Sequence, residues 1–201
     1  MNKKIITHFQ TVDPILYSLF VKHTSLKTIT REQSNDYFHS LCREIVGQQL
    51  SGKVADVLFD RFKKLFPRKH VTPHAVLKLS EARLRATGMS WSKTRFIRDL
   101  AQKVDSELIS LDTLDQLPDA GVIKELTSIK GIGPWTAEMF LMFTLGREDV
   151  FSYGDLGLRR AIQKLYNFKK EPTIKQMEKL TAKWKPYRTY AARILYKSLE
   201  F

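Results

Sequence analysis

Apolar residues recur at intervals of three and four along most of the chain, which is the spacing that places them on one face of an α-helix. The longest such stripe consists of Ile97, Leu100, Ala101, Val104 and Leu108. No stretch shows the sustained alternation that is typical of a β-strand. The pattern therefore predicts an all-α fold. After Ser51 the predicted apolar face consists of Val54, Val57, Leu58, Phe62 and Leu65.

Residues that commonly begin or end helices mark the boundaries between these stripes. Asp13 precedes a proline that would occupy the first turn of a helix, and Gly88 follows a short apolar segment. Linkers between the stripes are short, and we find no repeat or low-complexity segment. The predicted helices begin at or near Asp13, Asn35, Ser51, Thr72, Ser80, Ser90, Pro118, Trp135, Asp155, Thr173 and Pro186.

The amino-acid composition indicates a polyanionic binding partner. The 201 residues include 34 Lys and Arg against 21 Asp and Glu, so the formal net charge is +13. Such an excess favours nucleic acid as the partner, although a solvated basic surface is the alternative. Because the basic residues are spread over the chain rather than gathered in one tract, a membrane-surface role is disfavoured.

The single cysteine excludes several kinds of site. Cys42 cannot form an intramolecular disulfide, and it cannot supply a four-cysteine zinc or iron–sulfur centre. No apolar run is long enough for a signal peptide or approaches the ~20 residues that span a bilayer. We therefore expect a soluble, cytoplasmic protein.

The segment around Gly131 and Gly133 carries the first functional signal. Two glycines that flank one isoleucine, between two amphipathic stretches, predict a tight turn between helices. Such a turn can point successive N–H groups outward, which is a backbone site for a phosphate, and Lys130 adds a mobile positive charge. Asp155 follows 22 residues after Gly133. A phosphate-binding turn with an acid one helix away indicates chemistry on nucleic acid.

Residues 129–137 with Asp155 resemble the helix-hairpin-helix motif and the catalytic aspartate of the base-excision DNA glycosylase superfamily. Three further segments are similar to those of its 3-methyladenine DNA glycosylase II branch. They are the duplex-probing segment at residues 45–51, the Gly-x-Ser-x-x-Lys turn within 87–93, and the Trp-x-Pro-Tyr-Arg segment within 184–192. These motifs keep their order over most of the chain.

The resemblance implies a fold and an activity. The fold is one helix-hairpin-helix core over residues 1–201, made of two helical lobes with a catalytic cleft between them and without the β-rich N-terminal domain of some members. The activity is that of a type II DNA-3-methyladenine glycosylase. We expect a monomer that binds double-stranded DNA containing alkylated bases, that binds no membrane, and that is nucleoid-associated if the source is bacterial.

The resemblance also indicates the reaction type. Bifunctional members, which nick the backbone, place a nucleophilic lysine two residues after the second hairpin glycine. That position is Trp135 here, and a tryptophan cannot form a Schiff base. Lys130 and Lys93 are candidates by residue type but occupy other positions. We therefore expect a monofunctional enzyme.

Asp155 is the candidate catalytic residue. Cleavage of an N-glycosidic bond builds positive charge on the sugar, and a nearby carboxylate stabilises that charge and can orient or deprotonate water. An aspartate at the start of a helix is also an ordinary N-cap, which is the alternative interpretation.

A flipped base needs a residue to fill the gap that it leaves in the duplex. Gln49 is the candidate, with Gln48 and Leu50 beside it; a polar helix terminus is the alternative. The resemblance adds the hairpin and its surroundings as backbone contacts. The further predicted DNA-binding residues are Ser90, Lys93, Lys130, Gly131, Ile132, Gly133, Thr136 and Arg159.

Aromatic side chains are the candidates for stacking on the flipped base. A cationic alkylated purine would gain a cation–π contribution of roughly 0.5–2 kcal/mol, and it is already a good leaving group. For each aromatic residue alone, core packing is the alternative. The predicted substrate-binding residues are Trp135, Tyr153, Trp91, Phe38, Tyr37 and Tyr187.

The resemblance implies no required cofactor. It does indicate a sodium or potassium ion held by the hairpin carbonyls of Thr127, Ile129 and Ile132. Two other functions remain open. A non-catalytic helix-hairpin-helix module would bind DNA without releasing a base, and a bifunctional glycosylase/lyase would be trapped covalently by borohydride.

Overall fold

The computed structural model describes residues 2–23, 28–29 and 36–199, and all of its regular elements are helices. No β-strand occurs in this part of the chain, which confirms the predicted all-α fold. The predicted helix start at Asn35 lies outside the described residues. The helices are α1 (Lys3–Val12), α2 (Pro14–Lys22), α3 (Tyr37–Gly47), α4 (Gly52–Lys63), α5 (Pro73–Leu77), α6 (Glu81–Arg85), α7 (Trp91–Asp105), α8 (Asp119–Thr127), α9 (Pro134–Met139), α10 (Leu156–Leu165), α11 (Ile174–Thr181) and α12 (Arg188–Ser198).

Short irregular helices complete the chain. Within the described residues, three 3₁₀ turns span Pro67–Lys69, Leu111–Gln116 and Ala182–Trp184, and a π-helix at Phe140–Thr144 follows α9. The chain divides into two compact units: Ser34–Phe140 forms one, and Met1–Gln33 with Leu141–Phe201 forms the other.

Most of the predicted helix starts are made by side chains that accept a hydrogen bond from the first turn. Asp13, Thr72, Ser80 and Ser90 each accept a backbone N–H two or three residues inside the helix that follows. Ser51 occupies the N-cap of α4, although no capping hydrogen bond from its side chain is seen. These helix starts could be predicted from the sequence because an N-cap depends on only a few neighbouring residues.

One helix was missed, and part of one predicted apolar face was wrong. The N-terminal segment forms α1, which the sequence analysis did not predict. In α4, Val54 and Val57 are exposed, whereas Phe59 and Phe62 are buried. The ring centroids of Phe59 and Phe62 lie 6.0 Å apart, and the Phe59 centroid lies 4.9 Å from that of His39 in α3. Because an aromatic ring buries more apolar area than a valine, the phenylalanines determine which face turns inward.

A buried carboxylate holds together the unit that contains both ends of the chain. One oxygen of Asp13 accepts the Leu16 N–H, and the other accepts the Tyr166 hydroxyl at 2.6 Å and the Trp184 indole N–H at 2.7 Å. Lys183 Nζ lies 3.1 Å from the second oxygen. Burial would raise the pKa of Asp13, but these hydrogen bonds together lower it below its ordinary value.

In the other unit, α7 packs against α3, α5 and α6. Ile97, Leu100 and Ala101 are fully buried on its inner face, as the predicted stripe requires. Leu108, the last residue of that stripe, lies beyond the end of α7 and is exposed.

Candidate functional site

The turn between α8 and α9 requires glycine at its centre. Gly131 has a φ of +82°, and a Cβ at that position would lie 2.1 Å from the ring of Phe96. Pro134 occupies the first position of α9, where its missing N–H costs nothing. The predicted tight turn is therefore present, and Phe96 of α7 lies directly beneath it.

The turn presents two N–H groups and the exposed side chain of Lys130. Among the described residues, no acceptor is found for the N–H groups of Gly131 and Gly133. The N–H of Ile132 instead donates to the Ile129 carbonyl at 3.1 Å, and Ile132 is buried, so this predicted DNA contact points inward. The Lys130 side chain is 77% exposed, and its Nζ lies 3.7 Å from Asp99 Oδ1. This arrangement suits an anion.

The carboxylate of Asp99 in α7 binds the backbone of the turn between α8 and α9. Asp99 accepts the backbone N–H of Lys130 at 2.9 Å, and Lys103 Nζ lies 3.2 Å from the same carboxylate. Lys103 also donates to the Ser128 carbonyl. Burial would raise the pKa of Asp99, but the Lys130 and Lys103 contacts lower it. The backbone at the start of the turn is thus fixed by α7.

In the loop between α3 and α4, the side chain of Gln48 points inward and that of Gln49 is exposed. Gln48 points inward, where its Nε2 donates to the Gly131 carbonyl at 2.8 Å and lies 3.4 Å from Thr136 Oγ1. Gln49 is exposed and has a φ of +57°, and Leu50 is exposed beside it. Gln48 and Thr136 were predicted to contact DNA. In the structure their side chains form hydrogen bonds within the protein, as partly buried polar groups generally do. Gln49 and Leu50 remain available.

Two further predicted DNA contacts also serve helix ends. Lys93 Nζ donates to the Val46 carbonyl in the last turn of α3 at 2.8 Å, and Ser90 caps α7 through the Lys93 N–H. Burial lowers the pKa of the Lys93 ammonium. A lysine at a helix C-terminus satisfies an otherwise unpaired carbonyl, so Lys93 is a structural donor here.

Asp155 forms the N-cap of α10. Its Oδ1 accepts the Leu158 N–H at 2.7 Å, and the residue is 8% exposed. The capping role is therefore real, and it uses Oδ1. A Cβ on Gly157 would lie 3.0 Å from that same oxygen. The glycine thus leaves room for the carboxylate.

The loop before Asp155 is held by the start of α12. Arg188 forms a two-point contact with the Asp149 carboxylate, with Nε–Oδ1 at 2.7 Å and Nη2–Oδ2 at 3.0 Å. The Thr189 hydroxyl accepts the Val150 N–H at 2.9 Å. Although burial would lower the pKa of Arg188, its contacts with Asp149 raise it. The Trp-x-Pro-Tyr-Arg segment of the sequence therefore positions the backbone that leads to Asp155.

The predicted stacking residues differ in exposure: two are exposed, one is half-buried and three are buried. Trp91 and Trp135 are 48% and 43% exposed. Tyr153 is half-buried, and its hydroxyl lies 2.9 Å from Thr181 Oγ1. The other three are buried in the core, which was the alternative for each: Tyr37, Phe38 and Tyr187. Tyr37 packs edge-on against Phe140, and Tyr187 packs against His8 and Tyr190.

The sequence did not single out Tyr196, which lies beside Gly157 of α10, or Phe143, which lies near Tyr196. A Cβ on Gly157 would lie 3.5 Å from the ring of Tyr196, and the ring of Phe143 lies 6.4 Å from that of Tyr196. Phe143 is exposed and belongs to the π-helix. The helical interval gave no signal for it, because a π-helix turns its residues onto a different face than an α-helix does.

The remaining predicted residues concern charge and metal. Arg159 forms an ion pair with Glu171, and its contact with DNA stays a prediction. The Ile129 carbonyl accepts the Ile132 N–H and keeps a second lone pair, so it fits a role as one ligand of a monovalent ion. In the described part of the chain there is no group of three His, Cys, Asp or Glu residues that could hold a metal.

Comparisons with known proteins agree with this geometry. Residues 42–186 match the family of HhH-GPD superfamily base excision DNA repair proteins. The DNA-3-methyladenine glycosylase 1 of Schizosaccharomyces pombe is 34% identical over 172 residues, which cover 83% of this chain and 74% of that protein. None of the described helices is both long and apolar enough to cross a membrane.

Solved structures have the same fold. The 3-methyladenine DNA glycosylase of S. pombe in complex with abasic DNA matches with a TM-score of 0.85 and 30% identity, over 99% of this chain and 98% of that one. A DNA-3-methyladenine glycosidase from Bacillus halodurans matches with a TM-score of 0.82 and 34% identity, over 98% and 89% of the two chains. The glycine turn, the capping aspartate and these matches together place the chain in the HhH-GPD superfamily of base excision DNA repair proteins.

Proposed function

We propose that this chain is a monofunctional DNA glycosylase of the type II 3-methyladenine class, which hydrolyses the bond between an alkylated purine and deoxyribose. The observation that carries the proposal is Asp155, a carboxylate whose position is fixed on both sides in a family of base-excision repair proteins. The S. pombe relative named for 3-methyladenine supports the substrate class. We further propose that the protein acts as a monomer without a required cofactor.

The chemistry requires little more than one well-placed negative charge. Departure of the base leaves positive charge on the sugar, and the carboxylate of Asp155 stabilises it electrostatically. The oxygen that caps α10 fixes the orientation of the group, and the second oxygen orients or deprotonates the attacking water. Because an alkylated purine such as 3-methyladenine is cationic, it leaves without an acid catalyst.

The base must leave the duplex to reach the carboxylate. We assign Gln49, with Leu50 beside it, to the gap in the duplex, because both are exposed at the tip of a short loop. We assign stacking on the flipped base to exposed aromatic rings, with Trp91 and Trp135 as the predicted candidates. A cationic base over such a ring gains roughly 0.5–2 kcal/mol.

The turn between α8 and α9 binds the DNA backbone. The N–H groups of Gly131 and Gly133 accommodate a phosphate, and Lys130 adds charge. Such contacts fix the position of the strand but read no sequence. A monovalent ion on the carbonyls of Thr127, Ile129 and Ile132 would add positive charge to this turn.

The direct test is the product released from methylated DNA. We expect chromatography to detect free 3-methyladenine, with the DNA left as an abasic strand that is not cleaved. Because Trp135 replaces a nucleophilic lysine, borohydride should trap no covalent complex. A trapped complex would indicate a lyase, and tight DNA binding without free base would indicate a non-catalytic module.

A second prediction concerns the space beside the carboxylate. Gly157→Ala places a methyl group 3.0 Å from Asp155 Oδ1, so the carboxylate must shift by a few tenths of an ångström. We expect a roughly tenfold lower excision rate, since small misplacements of a reacting group are costly. The melting temperature should change little, because the helix propensity of alanine offsets a weakened cap. Gly52→Ala is the matched control, since nothing lies within 4 Å of that site; equal rates for the two variants would contradict the assignment.

A further inference from the structure

One side-chain amide joins the exposed loop after α3 to the turn between α8 and α9. Gln48 Nε2 donates to the Gly131 carbonyl at 2.8 Å and lies 3.4 Å from Thr136 Oγ1. Gly131 belongs to the turn and Thr136 to α9, so a single nitrogen contacts both sides of the bend. The backbone of Gln48 is itself fixed, because its N–H donates to the Glu44 carbonyl of α3 at 3.1 Å.

The tip of the loop is held in a conformation that a non-glycine residue rarely adopts. Gln49 has a φ of +57°, and such a conformation persists only where the surrounding structure determines it. The Leu50 N–H closes the loop onto the Gly47 carbonyl at 3.1 Å, and Lys93 Nζ holds the Val46 carbonyl at 2.8 Å. The loop is therefore anchored on one side by Lys93 and on the other by Gln48.

The turn is anchored in a matching way. Asp99 of α7 accepts the Lys130 N–H, and Phe96 of α7 fills the space under Gly131. Since Lys93 lies on the same helix, α7 supports both segments, and Gln48 joins them directly. A displacement of either segment would have to break the Gln48 contacts.

We infer that Gln48 is a positioning residue that couples the loop carrying Gln49 and Leu50 to the phosphate-binding turn. Its effect on DNA rests on the proposed function, whereas the coupling is a property of the free protein. Two segments whose spacing is fixed before binding need no ordering when DNA arrives, which favours affinity. In this role Gln48 acts through Gln49 and the turn.

Amide hydrogen exchange in the free protein tests the coupling without DNA. The N–H groups of Leu50 and Ile132 report on the loop and the turn, because each donates to a backbone carbonyl of its own segment. Gln48→Met keeps the side-chain length but removes the donor. We expect both amides to exchange faster, by about tenfold, through loss of one hydrogen bond to a carbonyl that is partly buried. Faster exchange at only one of them, or at neither, would overturn the inference.

The matched control is Gln116→Met, an exposed glutamine at the end of a 3₁₀ turn. It should leave the exchange of both amides unchanged. A Gln48→Met variant that melts earlier but exchanges normally at Leu50 and Ile132 would show a merely local structural role and would also overturn the coupling.

Binding to a duplex with an abasic-site analogue tests the consequence. If Gln48 works through Gln49, the double variant Gln48→Met with Gln49→Ala loses about as much affinity as the worse single variant. Additive losses would show that the two residues act independently and would contradict the inference. A native protein that binds abasic and intact duplexes equally well would count against the proposed function, while the exchange result would still decide the coupling.

Discussion

Asp155→Asn is expected to lower the rate of base excision by about 10²–10³-fold, the loss typical of removing one preorganised electrostatic group from an active site. The fold should survive, because asparagine caps a helix about as well as aspartate does. The Leu158 N–H would keep an acceptor at the position of Oδ1. Thermal melting and single-turnover excision, measured on the same preparation, check the two halves of this expectation.

Asp155→Ala separates the cap from the charge. It removes both, so it should lose activity as Asn does and also lose about 1 kcal/mol of stability through the missing cap. Two variants with equal inactivity and different melting temperatures would show that stability does not explain the loss of excision. An Asn variant that melts as early as the Ala variant would contradict this separation.

Asp13→Ala is expected to cost about 3–5 kcal/mol of folding free energy, since it leaves buried donors without their acceptor. The Tyr166 hydroxyl and the Trp184 indole N–H both donate to one oxygen of Asp13, while the Leu16 N–H donates to the other. In Asp13→Asn the side chain keeps only one oxygen, so it cannot accept hydrogen bonds both from the Leu16 N–H and from the Tyr166 and Trp184 side chains. A melting temperature lower by roughly 10 °C is expected for either variant, as measured by circular dichroism.

The same carboxylate predicts a dependence of stability on pH. Because the pKa of Asp13 is lowered in the folded state, its ionised form stabilises the fold above the ordinary carboxyl pKa of about 4. That contribution is lost as the pH falls through the folded-state value. We expect the native protein to lose stability in acid more steeply than Asp13→Asn does. Asp112→Asn, an exposed position, is the control and should follow the native curve.

The fold could be predicted wherever its signals are local. The caps of Asp13, Thr72, Ser80 and Ser90 depend on a few neighbouring residues, so the sequence located four helices correctly. The face of α4 could not be read in this way. Which of its apolar residues turn inward depends on the aromatic rings that pack against α3, and the helical interval alone does not distinguish them.

The candidate site shows the same division. The glycine turn followed from the need for a positive φ, and the structure has that value at Gly131. The orientation of Gln48 and Lys93 could not be predicted, because their partners are carbonyls more than 40 residues away in the sequence. A polar residue beside a predicted binding loop is equally suited to support the loop or to contact the ligand. Only the tertiary contacts separate these roles.

The central claim is that the carboxylate of Asp155 acts on the sugar and does more than cap α10. Its most direct measurement is the single-turnover rate of purine release from methylated DNA at saturating protein, for the native chain and for Asp155→Asn. The account predicts that both proteins bind the DNA equally well and that only the native chain releases base at an appreciable rate. Release by the Asn variant at the native rate would contradict it.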